Sequence, residues 1–341
     1  MSRKGKYIYG VVRDAHHAAG TKPAALNGVY TVPYKAVSAA VSDSEIIDYE
    51  NLPGHIAARR LFEHQAVMER LMEEFTVIPA RLGTYVYGEE EVTQVLTAGY
   101  RMFQDIFEKI EGRIELDVMA SWVDLRAVVQ ALSEEGEVKA VRQALLDKKD
   151  GITVDDRIEA GMLVKNCLDK KKTECACAIK ESLENLCRDI KEHGTPDDAT
   201  IMNAAFFLDK ERRVFFEERL EELSDSFGGE VRFKCVGPLP PYNFYVLEIK
   251  RLRYDEIQQA RKKFALGDFA TKKDIKAAYR KYASMHHPDK LPGPQHAQAG
   301  AEYVAIADAY SLLSTYCRYD SCSFKAEDFA KNSIVVAAKA P

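Results

Sequence analysis

Near its C-terminal end the sequence reads Met285-His286-His287-Pro288-Asp289-Lys290. The tripeptide His287-Pro288-Asp289 stands between two stretches of helical periodicity. By itself it reads as a helix-ending turn, since proline stops a helix and aspartate caps the next segment. Upstream, Ile275, Ala278, Tyr279 and Tyr282 fall on one helical face, which leaves Lys272, Lys273, Lys276, Arg280 and Lys281 largely toward solvent. Other residues with chemical potential are less well placed. His16-His17 has no partner at metal-ligand spacing, and His64 lies on the apolar side of its helix and reads as a packed core residue. Cys175 and Cys177 sit at i and i+2 on a helix and point to different faces, so no metal is expected. Runs such as Glu89-Glu90-Glu91 and Glu217-Glu218 suit helix N-termini or solvated faces. A Walker-type glycine loop, a GxSxG elbow, an HExxH pair and a dinucleotide fingerprint are all missing from the sequence. The chemistry expected is therefore binding: no enzyme and no cofactor.

The elements that carry these residues belong to a chain of 341 residues, long enough for two or three domains. With 46% hydrophobic and 30% charged residues it has the composition of a soluble globular protein. No apolar run approaches the roughly 18–20 residues of a membrane span. The start, MSRKGKYIYGVV, reads as a first strand rather than a signal peptide. A formal net charge of −5 argues against general nucleic-acid binding, although Lys250–Lys290 is locally basic. Seven scattered cysteines, an odd number, point to buried or half-buried thiols in a reducing cytoplasm.

Strands are expected at Lys6–Val12, within Val29–Val41, at Thr76–Tyr87 and at Ile114–Val123, with helices at His55–Phe75 and Glu89–Ile110. The order βββ-α-β-α-β implies a mainly antiparallel sheet with helices on one face. A helical region follows from about Val123 to His193, broken near Asp150-Gly151. Then come a strand at Thr200–Leu208, a helix at Glu211–Phe227 stopped by Gly228-Gly229, and strands at Val231–Val236 and Tyr242–Ile249. The expected fold is α+β: two ferredoxin-like-type domains, the second with a helical insertion, then a small all-helical module. The boundaries expected are 1–122, 123–250, 251–325 and a tail at 326–341.

The segment Gly237-Pro238-Leu239-Pro240-Pro241-Tyr242-Asn243-Phe244 places three prolines just ahead of a strand. Proline fixes φ and removes a donor, so this is a rigid corner, with a partner-binding ridge as the alternative. It resembles the end of the core in the gas vesicle protein F and L family. That family is also similar at Tyr7-Ile8-Tyr9-Gly10-Val11, at Ile78-Pro79-Ala80-Arg81-Leu82-Gly83-Thr84 and at Glu115–Trp122, the last with a less basic strand than usual. The resemblance spans about residues 6–250. It implies a non-enzymatic accessory protein of gas vesicle assembly, cytoplasmic and vesicle-associated, built of two α+β domains. Its implied partners are the hydrophobic shell protein GvpA and other accessory proteins. Pro238, Pro240, Pro241, Tyr242 and Phe244 are the candidate shell-binding residues, with strand-edge pairing along Thr200–Leu208 or Tyr242–Ile249 as a physical route.

The C-terminal part resembles the J-domain. Leu266-Gly267, the Ile275–Lys281 helix, the His287-Pro288-Asp289-Lys290 turn, the helix through Tyr303, Ile306, Ala309, Tyr310 and Leu313, and Tyr319-Asp320 all match its pattern. The resemblance implies an Hsp70-type ATPase (DnaK) as partner. His287, Pro288 and Asp289, with Lys272, Lys273, Lys276, Arg280 and Lys281, would form the contact. Tyr254–Phe264, at the place of the first helix, is more basic than that family's usual element. A general J-domain co-chaperone for another client is the alternative function.

Overall fold

The computed structural model describes residues 4–14, 28–47, 49, 51–134, 136–148, 151–286 and 295–339. The chain divides into two compact units, one made of residues 1–107 with 247–339 and the other of 108–246.

The first unit opens with β1 (Lys4–Asp14), β2 (Val29–Tyr34) and β3 (Val37–Glu45), followed by α1 (Gly54–Glu74), β4 (Phe75–Pro79), β5 (Tyr85–Val86) and α2 (Glu89–Ile110). The sheet order is β2-β3-β1-β4 with β5 on β1, and the pairs β1–β3, β1–β4 and β2–β3 are antiparallel. As the central strand β1 must be apolar, and Ile8, Val11 and Val12 are buried. Gly10 allows β4 to come close: a Cβ there would meet the Ile78 carbonyl oxygen at 2.5 Å. The helix α1 buries His64, Met68 and Leu71, whereas Leu61, expected inside, is 49% exposed. His64 is the core residue it was expected to be. Its Nδ1 and the Tyr7 hydroxyl are 2.7 Å apart among the rings of Tyr7 and Tyr9. Burial lowers its pKa to about 4.

The second unit continues with β6 (Arg113–Trp122), α3 (Leu125–Ser133), α4 (Gly136–Leu146), α5 (Val154–Leu183), β7 (Asp189–Glu192), β8 (Thr200–Asp209), α6 (Arg213–Ser226) and β9 (Val231–Leu239). Its sheet runs β7-β8-β6-β9, antiparallel throughout. Read by place in the chain, both sheets have the order second-third-first-fourth, the ferredoxin-like arrangement. In the second unit the first crossover is the three-helix run α3–α5, the expected helical insertion. Two expectations change. Strand 113–122 was expected to close a first domain ending at 122, but it pairs with β8 and β9 and is central to the second sheet. Asp189–Glu192, read as helical, adds a short strand at the edge of that sheet.

The rest of the first unit begins at β10 (Val246–Arg251). There follow α7 (Tyr254–Lys263), β11 (Phe269–Thr271), α8 (Lys272–Met285), α9 (Gln295–Tyr316), β12 (Ser321–Ser323), α10 (Ala326–Asn332) and β13 (Ile334–Lys339). Its core gathers Ile257, Phe264, Ile275, Ile306, Leu313 and Phe324. Residues 326–339 are not a loose tail: Phe329 and Val335 join this core and β13 pairs with β10. Arg318 fastens them by donating to the carbonyl oxygens of Asn332 and Ile334. Removing residues 326–341 should therefore cost on the order of 5 kcal/mol from lost apolar burial and the lost ladder. Urea unfolding and amide exchange in α9 check this; unchanged α9 protection would show the segment to be dispensable.

Candidate functional site

The charged surface of the C-terminal module is built from α8 upward. Its start is fixed by a capping box. The Thr271 hydroxyl accepts from the Asp274 amide at 3.2 Å, and the Asp274 carboxylate accepts from the Thr271 amide at 2.8 Å. These contacts hold the Asp274 carboxyl below its ordinary pKa. The inner face sets Ile275, Ala278, Tyr279 and Tyr282 into the core. Tyr279 stacks on Tyr310 of α9 at 4.3 Å between centroids, and Tyr282 meets Phe264 of α7 at 5.8 Å. With that face buried, Lys272, Lys273, Lys276, Arg280 and Lys281 are all exposed, as their spacing requires. None of the five forms an ion pair among the described residues. The Lys281 ammonium lies 5.7 Å over the ring of Tyr282. The structure thus brings five exposed cations onto one helix, with no ion pair to them among the described residues. The expected contact residues His287, Pro288 and Asp289 lie outside the described residues, in the connection between α8 and α9.

The proline corner occupies the second unit. Pro240, Pro241 and Phe244 are buried and Pro238 and Tyr242 half-buried, so these side chains chiefly shape the corner. Its anchor is a carboxylate that the sequence reading did not single out. Glu115 on β6 is fully buried; its Oε2 accepts from the Asn243 amide at 2.8 Å and its Oε1 from Asn243 Nδ2 at 2.9 Å. Asp117, two residues along the same face, accepts from the same Nδ2 at 3.3 Å. Phe244 packs on Phe207 of β8 at 5.1 Å. Only glycine fits at 237, where φ is +148° and a Cβ would meet Leu116 Cδ2 at 2.6 Å. Burial pushes the Glu115 carboxyl up to about 8, partly offset by the Asn243 bonds and reinforced by Asp117. Burial also raises Asp117.

The strand edges differ from expectation. β8, spanning Thr200–Leu208, is paired along its length with β6 and over Ala204–Phe207 also with β7, and β10, which covers the end of Tyr242–Ile249, is paired with β13. In the second sheet the outer strands are β7 and β9. Along β9, Arg232, Lys234 and Val236 are exposed, and beside it an open groove of about 580 Å³ is lined by Leu220, Glu217 and Glu221 of α6 with Val231 and Phe233. Among the described residues no cluster of three or more His, Cys, Asp or Glu side chains could hold a metal ion. No helix is long and apolar enough to cross a membrane, again among the described residues. The thiols are mostly sheltered as expected, but Cys177 and Cys235 are exposed.

Comparison with known proteins finds two family matches along the chain. Residues 5–246 match the family described as gas vesicle synthesis protein GvpL/GvpF, and residues 264–318 match the DnaJ domain. Gas vesicle protein F of a Nostoc species is 25% identical over 251 residues, covering 70% of this chain and 97% of that protein. The crystal structure of gas vesicle protein GvpF from an Anabaena species superposes with a TM-score of 0.58 at 24% identity, over 71% of this chain and 97% of that one; it shares the fold. The chaperone protein DnaJ of Maricaulis maris is 47% identical over 45 residues, 13% of this chain and 11% of that protein.

The buried carboxylate makes a pH prediction. Between its ordinary value of 4.5 and the folded value of about 8, folded Glu115 keeps a proton that the unfolded chain has released. Glu115 therefore makes stability fall as pH rises across that window. Glu115→Gln keeps the shape and removes the titration, so the fall should flatten, with roughly 1 kcal/mol lost at acidic pH from one weakened acceptor. Urea midpoints of both proteins from about pH 5 to about pH 8 test it; identical slopes would discard the assignment.

Proposed function

Because the chain belongs to the gas vesicle synthesis protein GvpL/GvpF family and carries a DnaJ domain near its C-terminal end, we propose that it is a non-enzymatic gas vesicle assembly factor. In this reading the α+β body binds the small hydrophobic shell subunit GvpA, and the C-terminal module recruits an Hsp70-type ATPase. The protein works in the cytoplasm and at the growing vesicle, alongside other accessory proteins. The observation that carries the reading is the set of exposed cations of α8 on the same chain as a near-complete GvpL/GvpF body. Lys272, Lys273, Lys276, Arg280 and Lys281 supply the attraction for an acidic surface, and His287-Pro288-Asp289 supplies the tripeptide motif that docks.

Holding a hydrophobic subunit in water requires a surface that covers its apolar segment and its unpaired backbone groups. The outer edge of β9 and the groove beside α6 offer both, which favours addition of an extended segment there. Pro238, within β9, and Pro240, Pro241, Tyr242 and Phe244 just after it serve that contact by holding the strand in place rather than by touching the partner.

The two halves of the reading separate experimentally. Lys276→Glu with Arg280→Glu, and separately His287→Gln, should each cut stimulation of an Hsp70-type ATPase in single turnover about tenfold or more, roughly 1.4 kcal/mol or more of lost coupling. The charge-reversal effect should shrink as salt rises. Co-purification with GvpA should be retained by both variants. Stimulation that survives both changes would discard chaperone recruitment. Failure of the unaltered chain to retain GvpA would discard the shell adaptor and leave a co-chaperone for another client.

A further inference from the structure

The end of α9 and the strand β12 bring two thiols together in the C-terminal module. Cys317 is fully buried, its amide closing the last helical turn on the Leu313 carbonyl at 2.8 Å. The chain then reverses through Arg318, Tyr319 and Asp320, and Cys322 pairs with Ala270 across the β11–β12 ribbon. The Cys317 sulfur lies 3.9 Å and the Cys322 sulfur 3.6 Å from the same oxygen, the carbonyl of Ala270. Both thiols can donate to that one oxygen, which places the two sulfurs on the same side of the ribbon. The Cys317 sulfur also lies 3.7 Å from the Tyr319 carbonyl oxygen, in the turn between the two cysteines. Cys322 also borders a cavity of about 310 Å³ that it shares with Phe269, Arg318, Tyr319, Asp328 and Asn332. The pair is thus inaccessible at Cys317 and approachable at Cys322.

We propose that Cys317 and Cys322 form a dithiol–disulfide couple, an oxidation site that staples the end of α9 to the ribbon from which α8 starts. The oxidant class is a low-molecular-weight disulfide entering from the cavity. Cys322, as thiolate, attacks one sulfur of that disulfide and releases the first small thiol. Cys317 then gives up its proton and attacks the Cys322 sulfur, releasing the second small thiol. Two protein thiols are oxidised and one disulfide is reduced to two thiols, so electrons and protons balance. Burial, with the Cys317 hydrogen bond, keeps the Cys322 thiol protonated well above its ordinary value, so the bond forms slowly and responds to sustained oxidation. The ribbon residue Thr271 caps α8, so the staple fixes the base of the basic helix. This site does not depend on what that helix binds.

The test uses the full chain with oxidised glutathione as the probe, followed by digestion and mass mapping of all seven cysteines. The expected product is a Cys317–Cys322 linked peptide. A rise of roughly 5 °C in the thermal midpoint of the C-terminal module should accompany it, reversed by reductant. In Cys317→Ala the reaction should stop at a stable glutathione adduct on Cys322. A lasting adduct on Cys322 in the unaltered chain, with Cys317 still free, would overturn the couple. So would two free thiols at 317 and 322 after the exposed Cys177 and Cys235 had reacted.

Discussion

The strand Val246–Arg251 is the constraint on which the arrangement of the first unit depends. Its Leu247 carbonyl accepts from the Arg81 amide at 3.2 Å, next to a parallel bridge between Leu247 and Ala80. A few residues on, Arg251 pairs with Glu91 at 2.5 Å and lies 4.0 Å over the ring of Tyr87. The same strand is completed by β13, the last element of the chain. Buried backbone donors and acceptors must find partners, and here they come from both the N-terminal sheet and the C-terminal segment. The helical module therefore hangs on a paired strand. A Gly- or Ser-rich linker would have let it move freely; the ladder and the ion pair oppose that freedom.

What could be read from the sequence follows from where each signal is encoded. Long amphipathic helices such as Glu89–Ile110 carry their own period, and their ends appear where expected. The basic face of α8 was legible for the same reason: burying Ile275 and Tyr279 forces Lys276 and Arg280 outward whatever the fold around them. Strand 113–122 shows the opposite case. Its alternation suits any half-buried sheet, and only its pairing with β8 and β9, distant in sequence, decides which sheet it joins. Asp189–Glu192 has no apolar pattern at all; it is a strand because β8 offers an edge. The run Ile334–Val336 did have β-branched character, but its role depends on β10, more than eighty residues earlier.

The sites divide in the same way. Three prolines mark a rigid corner from local chemistry alone, yet its anchor, Glu115, lies on a strand that begins more than a hundred residues before it. A buried carboxyl is costly unless its oxygens are satisfied, and Asn243 satisfies both with its backbone and side-chain donors. The corner is thus fixed at one end by glycine at 237 and at the other by hydrogen bonds at 243. The convergence of Cys317 and Cys322 on Ala270 is equally invisible in sequence, because a helix end and a strand have different periods.

The charge distribution ties these parts to function. The chain has 53 acidic residues against 48 lysines and arginines, so partners for the α8 cations are abundant. Elsewhere they are used: Arg59 with Glu63, Arg213 with Glu217 and Arg253 with Asp255 are ion pairs between near neighbours. On α8 the first-turn acid, Asp274, is committed to the cap, and its carboxylate accepts from the Thr271 amide and hydroxyl at 2.8 and 2.7 Å. The cations beyond it are left without a partner on their own helix. Five like charges within four turns repel one another by a few tenths of a kcal/mol per close pair. Stability alone gives no reason to keep them, since a single glutamate at i+4 would relieve the repulsion. The acidic partner proposed above would give one, because the same charges would raise its encounter rate and disfavour basic competitors.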